Sequence, residues 1–178
     1  YAFSGCSSLT SIDIPDGVTS IGWYAFSGCS SLTSIVIPDS VTSIGRGVFQ
    51  DCAALANLTI PSLYGNSFYL YFGESSFTIP GSLKSVILTK ETSIGQNAFR
   101  GCSSLTSIVI PGSVTSIGSY AFSGSGLTSI IFENPENWHT YTAWNSEIQI
   151  NSSDLSDPAK AAELLTNTYV DRAWKRDV

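Results

Sequence analysis

Four cysteines raise the first question about chemistry, because thiolates bind metals, form disulfides and act as nucleophiles. They are Cys6, Cys29, Cys52 and Cys102, at spacings of 23, 23 and 50 residues. A tetrahedral metal site needs ligands that converge on one point, whereas a regular spacing sets the thiols in a row. We therefore predict no metal site and expect four free, buried thiols that act as small apolar side chains.

The single histidine, His139, would have to serve any Ser/His/Asp or Cys/His catalytic arrangement. It stands between Trp138 and Thr140 in a segment that we expect to be irregular. The acidic residues of the chain's first part are scattered singly, and neither a phosphate-binding glycine loop nor a Gly-x-Ser-x-Gly motif occurs. We predict no catalytic residues, no cofactor and no enzyme activity.

The net charge and the length of the apolar runs indicate which kinds of partner the chain can bind. The 178 residues include 14 acidic and 8 basic side chains, for a net charge of −6. A nucleic-acid-binding protein normally carries a basic patch, and anionic membranes repel a negative chain. The apolar runs are also far shorter than the roughly 18 residues that cross a bilayer. We expect neither nucleic-acid binding nor membrane insertion by this segment.

An internal repeat organises most of the chain, and repeats of this length indicate a solenoid. The hexapeptide Ser-Ser-Leu-Thr-Ser-Ile occurs at positions 7–12, 30–35 and 103–108. Phenylalanines keep the same register, at Phe3, Phe26, Phe49, Phe99 and Phe122. The sequence therefore predicts a stack of similar units, the first of which starts inside a repeat.

Each unit contains one alternating apolar pair, which predicts a short strand with one buried face. Six such strands are expected, at Ile12/Ile14, Ile35/Ile37, Leu58/Ile60, Val86/Leu88, Ile108/Ile110 and Ile130/Phe132. Proline follows four of the pairs and ends the strand, and a glycine later in the unit permits a tight corner. Because one unit cannot bury its own apolar residues, neighbours must stack, with the strands parallel and the phenylalanines in a buried row on the opposite side.

We divide the chain into a solenoid of about six coils over residues 1–132, with a long coil at 61–83, and a second part over residues 133–178. The second part is expected to be irregular at first and to end in a helix over 157–176. Asp157 can cap this helix and Pro158 suits its first position. Because a solenoid needs a terminal cap, we expect the helix to cover the last coil.

The repeat resembles the BspA-like leucine-rich repeats. The shared pattern is Ile-Pro-x-Ser-Val-Thr-Ser-Ile-Gly-x-x-x-Phe-x-x-Cys-x-x-Leu, seen over 37–55 and, with small departures, over 14–32. The resemblance implies a right-handed leucine-rich repeat solenoid with a parallel β-sheet on one face, short turns and strands on the other, and here a C-terminal capping helix. It also implies a cell-surface or secreted protein that adheres to host or matrix proteins or to another cell-surface protein, without catalytic residues.

The outward positions of the predicted strands form a candidate binding row. They are Asp13, Val36, Thr59, Ile87, Val109 and Ile131. Four of the six are aliphatic, and an exposed apolar row is a plausible partner site. The alternative is that valine, isoleucine and threonine occur there only because they suit strands; the sequence leaves both open.

The long coil offers a second candidate, because it concentrates aromatic residues that include Tyr64, Tyr69 and Tyr71. They could form a platform on which a glycan or a peptide stacks, or they could fill the space that a larger coil encloses. The sequence thus leaves three functions open: a protein-binding adhesion module, a carbohydrate-binding module, and a passive stalk that presents another domain.

Overall fold

The computed structural model describes residues 1–63, 68–73, 79–141 and 147–177. Its main element is a parallel sheet of five strands that pair in chain order. They are β2 (Ser34–Val36), β4 (Asn57–Ile60), β5 (Ser85–Leu88), β7 (Ser107–Ile110) and β9 (Ser129–Phe132). The predicted solenoid and its parallel sheet are therefore confirmed.

The first of the six predicted strands is wrong. Ile12 and Ile14 do not lie in a strand, and the sheet begins at β2. The segment still runs beside β2, but the bond from Thr33 N to Thr10 O is long, at 3.4 Å. Asp13 separates the two isoleucines, where β2 has Val36, and aspartate is disfavoured in strands.

The other face of the solenoid carries two-residue strands, as expected. They are β1 (Ser20–Ile21), β3 (Ser43–Ile44), β6 (Ser93–Ile94) and β8 (Ser116–Ile117). β1 pairs with β3 and β6 pairs with β8, all in parallel. Between the two pairs lies the long coil, whose described part contains a short 3-10 helix at Phe68–Tyr71.

Two of the corner glycines, Gly45 and Gly118, lie where neighbouring coils approach closely. A Cβ on Gly118 would lie 2.4 Å from the main-chain nitrogen of Gln96, and a Cβ on Gly45 would lie 2.4 Å from that of Trp23, each in the preceding coil. A side chain at either position would push the coils apart, whereas a Cβ on Gly22 or Gly95 would meet nothing within 4 Å.

The predicted phenylalanine row is confirmed as a buried row except at Phe3, which is 39% exposed, and it extends into the long coil. Stacked rings lie 5–6 Å apart, which suits aromatic pairs: Phe3–Phe26 at 5.4 Å, Phe26–Phe49 at 6.1 Å and Phe99–Phe122 at 5.5 Å. In the long coil, Phe72 keeps the 23-residue register after Phe49, and Phe68 joins the row from outside that register. Phe72 lies 6.0 Å from Phe49, and Phe68 lies 4.9 Å from Phe99. The row therefore runs without a break through the longer coil.

The C-terminal part is more ordered than we expected. It contains β10 (Trp138–Tyr141), β11 (Glu147–Gln149), α1 (Ser152–Ser156), α2 (Pro158–Glu163), a π-helical turn (Leu164–Thr168) and β12 (Ala173–Arg176). Both helices pack against β9, so they cover the last coil. Asp157 caps α2 through bonds from Ala159 N and Lys160 N, as predicted. In the described part of the chain, none of the helices has the length and apolar character to cross a membrane.

The helix predicted over 157–176 is wrong in its second half, because residues 173–176 form β12. This strand pairs antiparallel with both β10 and β8, so it extends the second face of the solenoid. Trp174 is buried there, with its ring 6.5 Å from that of Trp138. Alanine, lysine and arginine favour a helix locally, but the free edge of β8 offers backbone hydrogen bonds that a strand satisfies.

Candidate binding surface

The outward row of the main sheet exists and is in register. Strand pairing places Val36 opposite Thr59, Thr59 opposite Ile87, Ile87 opposite Val109, and Val109 opposite Ile131. Side chains alternate across a strand, so each of these residues points away from the core, between two buried neighbours. The sheet therefore presents one continuous row, which we call the outer row.

The outer row is apolar and accessible at three of its five positions. The exposed fractions are 62% for Val36, 40% for Ile87 and 45% for Ile131, while Thr59 and Val109 are half-buried. Asp13, the sixth predicted member, is exposed but lies outside the sheet. Single exposed apolar residues are common on protein surfaces, whereas these three lie in one aligned row.

Polar residues border the outer row on one side. The first residues of the five strands are also in register, and they are Ser34, Asn57, Ser85, Ser107 and Ser129. An apolar strip with a polar border is the usual anatomy of a protein–protein contact.

The aromatic platform predicted in the long coil does not form as expected. Tyr71 is buried, and its O–H donates to the main-chain oxygen of Leu63 at 2.8 Å. Tyr69 is half-buried and packs against the core. Tyr64 lies outside the described residues. Tyr71 therefore belongs to the core of the long coil and cannot stack on a ligand, because the coil encloses enough space to need large side chains.

One charged residue of the sequence marks the long coil. Glu91 stands where other coils have Val18, Val41 and Val114, and it is buried. Its Oε2 accepts hydrogen bonds from Leu63 N at 2.6 Å and from Ser62 Oγ at 3.0 Å. A buried carboxylate needs such partners. Glu91 thus fixes the start of the long coil, and a charged residue at an apolar repeat position was the clue.

The cysteines form a ladder along the solenoid. Cys29 Sγ lies 3.2 Å from Phe3 O, and Cys52 Sγ lies 3.2 Å from Phe26 O, so each thiol donates to the preceding coil. Burial raises the pKa of Cys52 and of Cys102 to about 12, and burial also raises the pKa of Cys29. All four are free thiols, but Cys6 is exposed, which corrects the prediction of four buried ones.

Across the described ranges, no three side chains of the metal-binding types come together. His139 lies in β10 and not in irregular chain, with Nδ1 2.6 Å from Glu147 Oε1 and Nε2 3.2 Å from Asp177 Oδ2. The imidazole thus lies between the carboxylates of Glu147, in β11, and Asp177, directly after β12.

Two solved structures are similar to this chain in sequence. A leucine-rich cell surface protein from Faecalibacterium prausnitzii A2-165 is 34% identical, with a TM-score of 0.51, over 84% of this chain and 41% of that one. A leucine-rich repeat protein of T. pallidum is 33% identical over 72% of this chain and 48% of that one, with a TM-score of 0.38. The chain thus spans less than half the length of both.

No curated protein matches the chain. The family model of the BspA type leucine rich repeat region matches in 6 copies, over residues 1–91 and 70–160. These matches cover most of the sequence, including every strand of the main sheet. The chain belongs to the BspA-type leucine-rich repeat family.

Proposed function

We propose that this chain is a non-catalytic protein-binding module of a larger cell-surface or secreted protein, and that it serves adhesion. The observation that carries the proposal is the outer row, an in-register strip from Val36 to Ile131 that crosses all five strands. Burying such a strip on a partner releases about 25 cal/mol for each Å² of apolar surface.

The surface favours a protein partner over a glycan. Its exposed members are aliphatic, and sugar recognition on a flat surface relies on aromatic rings, which stack. The partner is a host or matrix protein, or another cell-surface protein. Support for the location comes from the F. prausnitzii relative, which is described as a cell surface protein.

Repetition supports the proposal, because a longer array of similar coils would present the same kind of surface several times. Weak contacts that recur along a longer protein combine into strong attachment. A single row is then expected to bind weakly and to gain strength when several segments act on the same surface.

The experiment is a binding screen of the purified chain against immobilised laminin, collagen IV and fibronectin, with a glycan array in parallel. We expect saturable binding to at least one matrix protein. If the chain binds none of them, even when it is displayed in many copies on beads, the adhesion proposal fails and the passive stalk takes its place.

A further inference from the structure

Exposure alternates along the outer row. Val36, Ile87 and Ile131 are exposed, while Thr59 and Val109 between them are half-buried. Ile87 shows this most clearly, because a strand lies on each side of it and it is still 40% exposed. Neighbouring strands lie about 4.8 Å apart, so the two lower positions are about 9.6 Å from each other. The row therefore has three raised positions and two lower ones, with a period of two coils.

This period matches one kind of extended chain. A polyproline II helix rises about 3.1 Å per residue with three residues per turn, so side chains on one face recur about every 9.3 Å. A β-strand repeats on one face about every 6.7 Å, and an α-helix returns to the same face after about 10.5 Å, which is seven residues. Along the four steps of the outer row, the polyproline II helix drifts by about 0.6 Å and the α-helix by about 1.8 Å.

The main sheet itself carries no charged side chain in any of its five strands. Two charged residues stand directly beside a strand, and both bond to the main chain of a neighbouring coil. Lys84 Nζ donates to Ser104 O at 3.4 Å, and Glu133 Oε2 accepts from Gly112 N at 2.9 Å. A charged partner segment would lose its hydration on this surface without gaining an opposite charge. The surface therefore suits an uncharged segment.

The polar border offers hydrogen bonds that the protein does not use itself. Its residues lie on the same face as the outer row, two positions earlier in each strand, and they are Ser34, Asn57, Ser85, Ser107 and Ser129. None of the hydrogen bonds among the described residues uses a side chain of this border. A polyproline II segment has no internal hydrogen bonds, so its carbonyls need donors. An α-helix satisfies its own carbonyls and would leave the border unused.

From these features we infer that the outer row binds an uncharged, proline-rich segment in the polyproline II conformation, with an apolar side chain at every third residue. Two of these side chains lie over Thr59 and Val109, between the raised positions. The border side chains donate to carbonyls of the segment. About seven residues span the row, which is about 19 Å long. The inference rests on the proposed function, because it takes the outer row as the binding surface and names the kind of segment that the partner presents.

The test compares two peptides of the same composition that carry the same uncharged fluorophore. One is Pro-Pro-Leu repeated three times, and the other has six prolines followed by three leucines. Fluorescence anisotropy with the purified chain should give a Kd below about 1 mM for the first peptide. The second should bind at least about threefold more weakly, because only the first presents leucine on one face at the period of a polyproline II turn.

Two double variants locate the contact. Thr59→Ile/Val109→Ile fills the lower positions and keeps the row apolar, and it should weaken binding of the Pro-Pro-Leu peptide about fivefold or more through steric overlap. Ser85→Ala/Ser107→Ala removes two donors and should weaken binding about threefold or more. The matched control is Ser20→Ala/Ser43→Ala, which removes the same hydroxyls from β1 and β3 on the other face. It should bind as the wild type does, and circular dichroism checks that every variant is folded.

Four results would overturn the inference: no binding tighter than about 1 mM, equal binding of the two peptides, full binding by the Thr59→Ile/Val109→Ile variant, or tighter binding of an uncharged helical peptide with leucines along one face. The proposed function survives these results if the chain still binds a matrix protein and loses it on glutamate substitution in the outer row. Binding of the Pro-Pro-Leu peptide without binding to any matrix protein would instead support the inference and reject the proposed matrix partner.

Discussion

The Cys52 thiol donates a hydrogen bond to the main-chain oxygen of Phe26, with Sγ 3.2 Å from that oxygen. The same contact joins Cys29 to Phe3, one coil earlier. The repeat therefore uses its cysteine to satisfy a carbonyl of the coil before it, next to the stacked phenylalanines. Cysteine suits this position because it is small and apolar enough for the core and still carries a weak donor.

The first prediction concerns the reactivity of the thiols. Titration of the native protein with a disulfide reagent such as DTNB should show one fast thiol, Cys6, because it alone is exposed. The other three should react slowly, since burial raises each pKa and leaves little thiolate. Cys6→Ser should remove the fast phase. In denaturant without reductant, all four should react, whereas two equivalents would show a disulfide.

The second prediction concerns alkaline stability. The pKa of Cys52 and Cys102 is about 12 in the folded protein, above the ordinary value of 9.0, so the unfolded chain loses these protons first. The stabilisation is present below pH 9 and is lost as the pH rises towards 12. Each thiol should lower the free energy of unfolding progressively across that window, because the unfolded chain releases its proton at lower pH than the folded one.

Urea unfolding at pH 8, 9, 10 and 11 measures this effect. The Cys52→Ala/Cys102→Ala variant is the comparison, because tyrosines and lysines titrate equally in both proteins and cancel in the difference. The variant should lose less stability with rising pH than the wild type. Two parallel curves would show that these thiols do not titrate as the structure requires.

The third prediction concerns the phenylalanine row. Phe49 is buried between Phe26 and Phe72, at 6.1 Å and 6.0 Å. Phe49→Ala should reduce the free energy of unfolding by about 3–5 kcal/mol, as expected for a large buried ring. Phe3→Ala is the matched control, because Phe3 is 39% exposed, and it should lose less than half as much. Equal losses would mean that the row does not extend as a continuous core.

The fourth prediction concerns a left-handed backbone position that recurs in the repeat. Gly47 has φ of 65°, and Tyr24, Asn97 and Tyr120 at the equivalent position have φ of 55° to 58°. A Cβ on Gly47 would also lie 2.3 Å from the Tyr24 ring. Gly47→Ala should therefore destabilise the protein by about 1–3 kcal/mol.

Gly17→Ala serves as the control for that substitution. A Cβ on Gly17 would lie in open space, and the backbone there is not left-handed. The change should stay within about 1 kcal/mol of the wild type. Similar melting temperatures for the two alanine variants would contradict the account of the left-handed position.

The repeat made most of the fold predictable, because each alternating apolar pair has only one way to bury its inward face. That pattern predicted the five strands of the main sheet, and it also predicted the outward positions of Val36 and Ile131. The strand predicted at Ile12 and Ile14 does not form, and the residue that departs from the pattern there is Asp13. The burial of Tyr71 was also predictable, because this residue stands 23 positions after the buried Val48 and so keeps the register of an inward residue.

The C-terminal cap shows a different limit. The sequence of residues 173–176 favours a helix by local preference, yet the segment pairs with β8 and β10. A segment of four residues is too short to show a periodic pattern, so its pairing with strands far away in the sequence cannot be recognised there.

The central claim is that the outer row binds the partner, and one comparison tests it directly. Val36→Glu/Val109→Glu/Ile131→Glu places three charges on the row, and Thr19→Glu/Ser93→Glu/Gln96→Glu places the same charge at exposed positions outside the main sheet. Both variants should fold, because none of the six residues is buried.

The measurement is the affinity of each variant for the matrix protein that the wild type binds, by biolayer interferometry at constant salt. We predict that the outer-row variant loses binding at least tenfold, about 1.4 kcal/mol, while the control variant binds as the wild type does. Undiminished binding by the outer-row variant, or an equal loss in both, would contradict the claim that the sheet face is the binding surface.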